Sequence, residues 1–507
     1  MTAITMGDNV NNNDASNYEE ALEKTGNGPY NMLLASTCSL ILLALGMDLF
    51  GFSLVVTAAC DLQLTVSQMA ILTSLPFIGI LLVSYIWGYI SDTRGRRFSL
   101  VLCMQVSFLL STLCSICPTW HILGLVKFIS VCFSCAANSA SYTLVGESCN
   151  MKNRSKYMLL MTCLLLLSPA AAGVVTYPIL KLKFESAMWF GVMFTPWRLL
   201  IIVLALPSGI GALAICFFHE SPIFLANSGR EEEALDVLRS IYAINHRKSK
   251  EEYEVKTLKV KDQCLKKQSL VRAIYEQSAP LFRPPLLWRT LQLFYIVAVV
   301  YITNNSFLVW LAHVMNLVRL AMERSATGNI CELISHDKIH NANHPQNSTA
   351  PRVCVGNIED NVVLALVISQ TIFAILNFAL SYLSHRRKVV LTSILCLSAL
   401  SGSLLNLTPE AISSVFFFMI FTCTCLCMGI LASFFVDLYP PSYRGMVACL
   451  SIMVGRGSSF VGINIVGNLL FNHCQLMFYM WSLLVLSSAV LAWFLPPEKV
   501  KIKPSTV

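Results

Sequence analysis

Charge is what this sequence has least of. Only 13% of its 507 residues are Asp, Glu, Lys or Arg, against roughly 25% in soluble domains. A soluble chain of this length would fold as two or three domains and need polar surface for each. With 55% hydrophobic residues, it does not have that surface. The same shortage excludes a disordered chain and leaves no basic patch for nucleic acid, which is not expected as a partner. Catalytic signatures are also missing. The nine histidines form no H-E-x-x-H pair, and no Gly-rich phosphate loop occurs. An enzyme, an ATP-driven pump, a metal site and a cofactor are therefore not expected.

Long apolar runs are abundant instead. A helix that crosses a bilayer needs about 20 mostly apolar residues. Six such runs precede a long polar stretch: 30–54, 66–90, 98–116, 123–145, 158–180 and 199–218. Six more follow it: 291–315, 361–383, 389–405, 411–436, 446–470 and 477–495. The predicted fold class is an all-α polytopic membrane protein, with twelve transmembrane helices in two six-helix bundles. The bundles are expected over 29–218 and 291–495. A linker with short helices covers 219–290, an outside loop about 316–360, and a short tail 496–507. Of the 36 Lys and Arg residues, 27 lie on the side of the termini and central loop, seven on the other, and Lys127 and Arg456 inside spans. The positive-inside rule then makes both termini cytosolic. Residues 1–28 are polar and have no apolar signal segment, so they read as a disordered cytosolic tail.

The nineteen cysteines lie mostly in apolar runs. Cys423, Cys425 and Cys427 have neither the spacing nor the polar setting of a zinc or redox site. Cys331 and Cys354 lie in the outside loop and could pair in an oxidising compartment. The sequon at Asn347 lies between them on the side where glycan is added, whereas the one at Asn153 faces the cytosol.

The two halves echo each other. Gly88-Tyr-Ile-Ser-Asp92-Thr-Arg-Gly95-Arg96-Arg97 follows the second span, and Ser381-Tyr-Leu-Ser-His385-Arg-Arg-Lys388 follows the eighth. Glu147 precedes Arg154 by seven residues after the fourth span, and Asp437 precedes Arg444 by seven after the tenth. Inverted or parallel repeats of this kind mark transporters that bind at the repeat interface.

The Gly88–Arg97 segment resembles the loop signature of the major facilitator superfamily. Glu220-Ser-Pro-Ile-Phe-Leu-Ala-Asn-Ser-Gly-Arg-Glu-Glu-Glu-Ala-Leu235 looks like the central-loop signature shared by organic-ion transporters and the synaptic vesicle glycoprotein 2 branch, and Asp437–Gly445 is similar to its second-half counterpart. Gly46-Met47-Asp48 and Gly455-Arg456 favour the vesicle glycoprotein branch. The chain departs from those glycoproteins in its short tail and short outside loop, and in His385 where the first half has Asp92.

The resemblance implies a gate made of Gly88, Asp92, Gly95, Arg96 and Arg97, extended by Glu147 with Arg154 and Asp437 with Arg444. Positive-inside anchoring alone explains the arginines but not the aspartate. It also implies a coupling pair of Asp48 and Lys127, as in related proton-coupled sugar porters, although a purely structural ion pair stays open. Arg456 is expected to meet an anionic substrate group or a carboxylate across the cavity. Asn138 and Asn377 are further cavity candidates, with helix–helix contact as the alternative. Two functions follow. The first is a secondary transporter of a small organic solute by alternating access, with or without protons, in a plasma or vesicle membrane and as a monomer. The alternative is a transport-incompetent vesicle or membrane glycoprotein acting as a trafficking or binding partner.

Overall fold

Proline opens the long helices where a missing N–H costs nothing, as Pro29 and Pro196 do. Side-chain caps open others. Thr65 and Gln68 form a reciprocal capping box, and Asn150 accepts from Asn153 N. The computed structural model describes residues 15–187, 193–255, 257–259, 279–284, 286–323, 328–334, 360–382, 386–439 and 441–496. In chain order its elements begin with β1 (Ala15–Asn17), α1 (Tyr18–Lys24), α2 (Pro29–Ala58), α3 (Val66–Arg94), α4 (Arg96–Leu113), α5 (Trp120–Ser134), α6 (Ala136–Ser148) and α7 (Met151–Leu180). A small hairpin of β2 (Ser186–Ala187) and β3 (Met193–Phe194) leads to α8 (Pro196–Ile215), α9 (Pro222–Asn227), α10 (Glu231–His246) and β4 (Thr257–Lys259). The second half has α11 (Leu287–Glu323), α12 (Asp360–Tyr382), α13 (Arg387–Leu404), α14 (Ala411–Phe421), α15 (Cys427–Leu438), α16 (Pro441–Asn472) and α17 (Cys474–Trp493).

Among the described residues twelve helical segments are long and apolar enough to cross a membrane, and the protein is an integral multi-pass membrane protein. The fourth segment is α5 continued by α6 with a break at Cys135. The tenth is α14 continued by α15 through a 3-10 turn at Thr422–Leu426. Adding the offset of the Glu147 and Asp437 pair (437 − 147 = 290) carries Cys135 to 425, inside that turn. The repeat therefore extends to the position at which a helix breaks. Residues 15–28, the central loop and the end of α17 share one face, the terminal face; the opposite one is the far face.

Each half packs its own helices, α2 against α7 and α8 in the first, α11 against α16 and α13 against α17 in the second. Between the halves, α3 lies along α16 and α7 along α12. In the half nearer the far face, Gly173 meets Val363, Leu366 and Val367, and Asn464 Nδ2 donates to Ser74 Oγ at 2.9 Å.

Two expectations are corrected. The segment 1–28 is not a disordered tail throughout. β1 pairs in parallel with β4, and α1 buries Tyr18, Ala21 and Leu22 against α10 and the terminal-face ends of the first bundle. Tertiary contact supplies the order that its polar composition does not suggest. Cys331 does not pair with Cys354, which lies outside the described residues, as does Asn347. Its partner is Cys474 at the start of α17, with Cα atoms 5.5 Å apart. The helical stretch 330–334 lies against that end and brings the two sulfurs together. Peptide mapping without reduction is expected to recover a Cys331–Cys474 cross-link. Cys474→Ala should free Cys331 and cost about 2–4 kcal/mol of stability; a Cys331–Cys354 peptide would refute the assignment.

Candidate functional site

Asp48 is the twentieth of the thirty residues of α2, and Lys127 is the eighth of fifteen in α5. Neither is near a helix end, so neither can reach water by extending its side chain. Both are buried, at 6% and 3% exposure, and Lys127 Nζ lies 2.5 Å from Asp48 Oδ1. Ser111 of α4 donates to the same oxygen at 3.1 Å. Ser130 stands 2.9 Å from Ser111 and 3.2 Å from Ser107, so a chain of hydroxyls leads away from the carboxylate. The Phe52 ring lies 5.0 Å from Lys127 Nζ and closes the other side of the ammonium. The pair thus forms a desolvated ion pair across three helices of the first bundle.

Arg456 is the sixteenth of the thirty-two residues of α16, halfway along the helix. Its guanidinium carbon lies 5.7 Å from the Phe77 ring of α3 and 5.8 Å from the Tyr301 ring of α11, so one aromatic comes from each half. Gly455 allows this approach, because a Cβ there would sit 2.7 Å from the Tyr301 ring. Its Nε is buried and has no hydrogen-bond partner, and among the described residues no carboxylate pairs with it. Beside it, Asn305 Nδ2 donates to Ser459 Oγ at 2.8 Å. Asn377 is buried with its Oδ1 facing Gly429, while Asn138 is half-buried in α6; among the described residues neither is hydrogen-bonded to Arg456.

The terminal-face charges cluster around Arg96. It pairs with Asp92 at 3.0 Å and with Glu147 at 3.1 Å. Asp92 itself is 63% exposed, and among the described residues it pairs with nothing in the second half. Arg97 donates to the Cys216 carbonyl at 2.6 Å, a cation on the negative end of α8. Arg154 reaches Glu19 at 3.5 Å. A Cβ at Gly88 would meet nothing within 4 Å. Asp437 and Arg444 lie on the α15 and α16 backbones, and their side chains lie outside the described set.

Two residues missed in the sequence organise these ends. Glu220 accepts from the backbone N–H groups of Arg96, Arg97 and Phe98 at 2.8, 2.9 and 3.3 Å, capping α4 from another part of the chain. Its position at the head of the Glu-Ser-Pro segment was the available signal. On the far face Asp61 accepts from Trp197 Nε1 at 2.8 Å and pairs with Arg198 at 3.1 Å, and Arg198 also donates to the Ser115 and Cys117 carbonyls. Nothing in the spacing of Asp61 and Arg198 marks this contact.

Residues 37–335 match the Major Facilitator Superfamily. The chain belongs to that superfamily. Among superfamily relatives, it is 26% identical over 235 residues to rat (Rattus norvegicus) synaptic vesicle glycoprotein 2C, covering 46% of this chain and 32% of that protein. It is 30% identical over 234 residues to the synaptic vesicle 2-related protein of Xenopus laevis, covering 46% and 40%. The match thus spans about a third to two-fifths of these relatives. The inward-open structure of the xylose transporter XylE from E. coli superposes with a TM-score of 0.64 at 14% identity, over 93% of this chain and 98% of that one. A bacterial homologue of the human lysosomal transporter Spinster gives 0.58 at 11% identity, over 92% and 95%. These two likenesses establish the superfamily fold for this chain.

Proposed function

We propose that the protein is a secondary transporter that moves a small organic solute by rocking its two bundles about a central site. The observation that carries this reading is Arg456. An ionised side chain at mid-membrane costs at least a few kcal/mol unless it is paired or faces water, and this one sits between rings from both halves with no carboxylate partner among the described residues. A solute with an anionic group supplies the missing charge, and Phe77 and Tyr301 flank it. The bias of Lys and Arg supports a cytosolic terminal face. The Asp48–Lys127 pair is the candidate for proton coupling, since a proton on Asp48 would break the ion pair and change the tie between α2 and α5.

Uptake into proteoliposomes of a panel of organic anions, neutral sugars and organic cations tests this. Organic anions are expected to be carried. Arg456→Gln should reduce their uptake by about 10- to 100-fold, the worth of one charge-assisted contact of about 1.5–3 kcal/mol. Uptake of a neutral or cationic solute that survives Arg456→Gln would refute the anion site. A second reading, a membrane glycoprotein that binds partners without transport, is permitted by the similarity to synaptic vesicle glycoprotein 2C. Folded protein that carries no solute of any class would support it.

A further inference from the structure

The N-terminal segment, the central loop and the turn between α6 and α7 meet at one place on the terminal face, although contacts of the first with the other two span 129 and 232 residues of sequence. Tyr18 donates to the Glu147 carbonyl at 2.6 Å. Burial pushes its phenol well above the ordinary range, so it remains a donor. Glu19 faces Arg154 at 3.5 Å, and Glu23 pairs with Lys152 at 2.6 Å. An acidic helix thus lies on the basic turn. The other side of α1 is tied to the central loop. Tyr253 donates to the Ala21 carbonyl at 2.7 Å, Lys24 pairs with Glu254 at 3.1 Å, and β1 pairs with β4. Leu22 and Ala21 are fully buried among Leu235, Leu238 and Ile241 of α10.

We propose that α1 is a releasable clasp that brakes the exchange between the two access states. The turn it holds carries Glu147 and Arg154. Glu147 is already shared with Arg96, and Arg154 is divided between Glu19 of α1 and the Cys149 carbonyl of its own turn. Any rocking of the halves that gives this turn new partners must first lift α1 away. The ties that hold α1 suit such a release. The two ion pairs to the turn involve Glu19 and Glu23, whose side chains are 46% and 56% exposed, and exposed pairs are individually weak and screened by salt. Beside these two pairs the turn holds α1 through the Tyr18 hydrogen bond to the Glu147 carbonyl, whereas Ala21 and Leu22 pack on α10, so α1 leaves the turn by giving up that one further bond while staying on α10. The brake rests on the transporter reading, but the local hold on the turn does not.

Hydrogen exchange of the full-length protein in lipid nanodiscs separates the two. Glu19→Gln with Glu23→Gln alters only exposed side chains. It is expected to speed amide exchange over 147–157 by about three- to tenfold, as a local opening would, and to speed exchange over 441–450, the matching turn of the other half. Glu19→Arg combined with Arg154→Glu should restore protection in both places, because the pair is rebuilt with its signs reversed. Unchanged exchange over 147–157 would overturn the clasp itself. Faster exchange that stops at residue 157 would leave a local tether and overturn the brake. Failure of the reversed pair to restore protection would show that the loss came from disruption of the fold, and would also overturn the proposal. None of these readouts requires a transported solute, so a failed uptake screen and a failed clasp remain distinguishable.

Discussion

Asp48→Asn and Lys127→Met, each alone, are expected to remove most of the folded protein, and the double replacement is expected to bring much of it back. The reason is the asymmetry of a buried pair. With both present, the ammonium and the carboxylate lie 2.5 Å apart and Ser111 satisfies a further lone pair of Asp48 Oδ1. With one removed, the other keeps its desolvation cost and loses its counter-charge, about 3–5 kcal/mol in typical cases. Whole proteins are stable by about 5–15 kcal/mol, so a loss of this size can halve the margin or exhaust it. With both neutral, no charge is buried, and two polar or apolar side chains of similar length fill the space. Fluorescence-detected size exclusion of the solubilised protein gives abundance, and thermal unfolding gives the stability order. Single variants with wild-type abundance and additive small effects would show that the two residues do not interact. The rescued double variant then serves as the test of coupling. Uptake that still responds to a proton gradient in that protein would exclude Asp48 and Lys127 as the coupling pair.

Much of this architecture was legible because membrane helices announce themselves in composition. The runs from 30–54 to 477–495 each satisfy a length requirement set by the bilayer, and the helices match them to within several residues. The breaks at Cys135 and Thr422–Leu426 were not legible, because the sequence stays apolar or small through both. The clasp was hidden for the opposite reason. Among residues 18–24 only Tyr18, Ala21 and Leu22 carry its burial, too few for a periodic signal, and their partners are more than a hundred residues away. Cys474 was passed over since it opens an apolar run, while Cys354 looked suitable in a polar loop; pairing depends on where chain ends meet in space. Arg198 was counted as an outside anchor, yet it is 2% exposed and bonded to Asp61 and two carbonyls. At the central site, the charges stood out in sequence because charge is rare there. That Phe77 and Tyr301 flank Arg456 depends on how α3, α11 and α16 pack, which no local pattern records.

Glu220→Ala is expected to be the most damaging single change on the terminal face, at about 2–4 kcal/mol. The first N–H groups of a helix have no partner within it and must find one elsewhere. In α4 three of them, from Arg96, Arg97 and Phe98, point at the Glu220 carboxylate, which also accepts from Ser221 N at 2.9 Å. A full negative charge at the positive end of a helix adds to these charge-assisted bonds. The approach depends on Gly95. Its φ of +110° belongs to a region that costs other residues about 1–3 kcal/mol, and a Cβ there would lie 2.3 Å from Glu220 Oε2. Gly95→Ala should therefore act partly by displacing the same carboxylate. The double variant Gly95→Ala with Glu220→Ala is expected to cost less than the two single costs added together, by about 1 kcal/mol or more, because the clash disappears once the carboxylate is gone. Glu220→Gln should fall between wild type and alanine, since its amide oxygen still accepts while its NH2 faces donors. Thermal unfolding of the four proteins in one detergent measures the cycle. Strict additivity would mean that Gly95 and Glu220 act separately and that the cap seen across 124 residues of sequence is not what holds the α4 end in place.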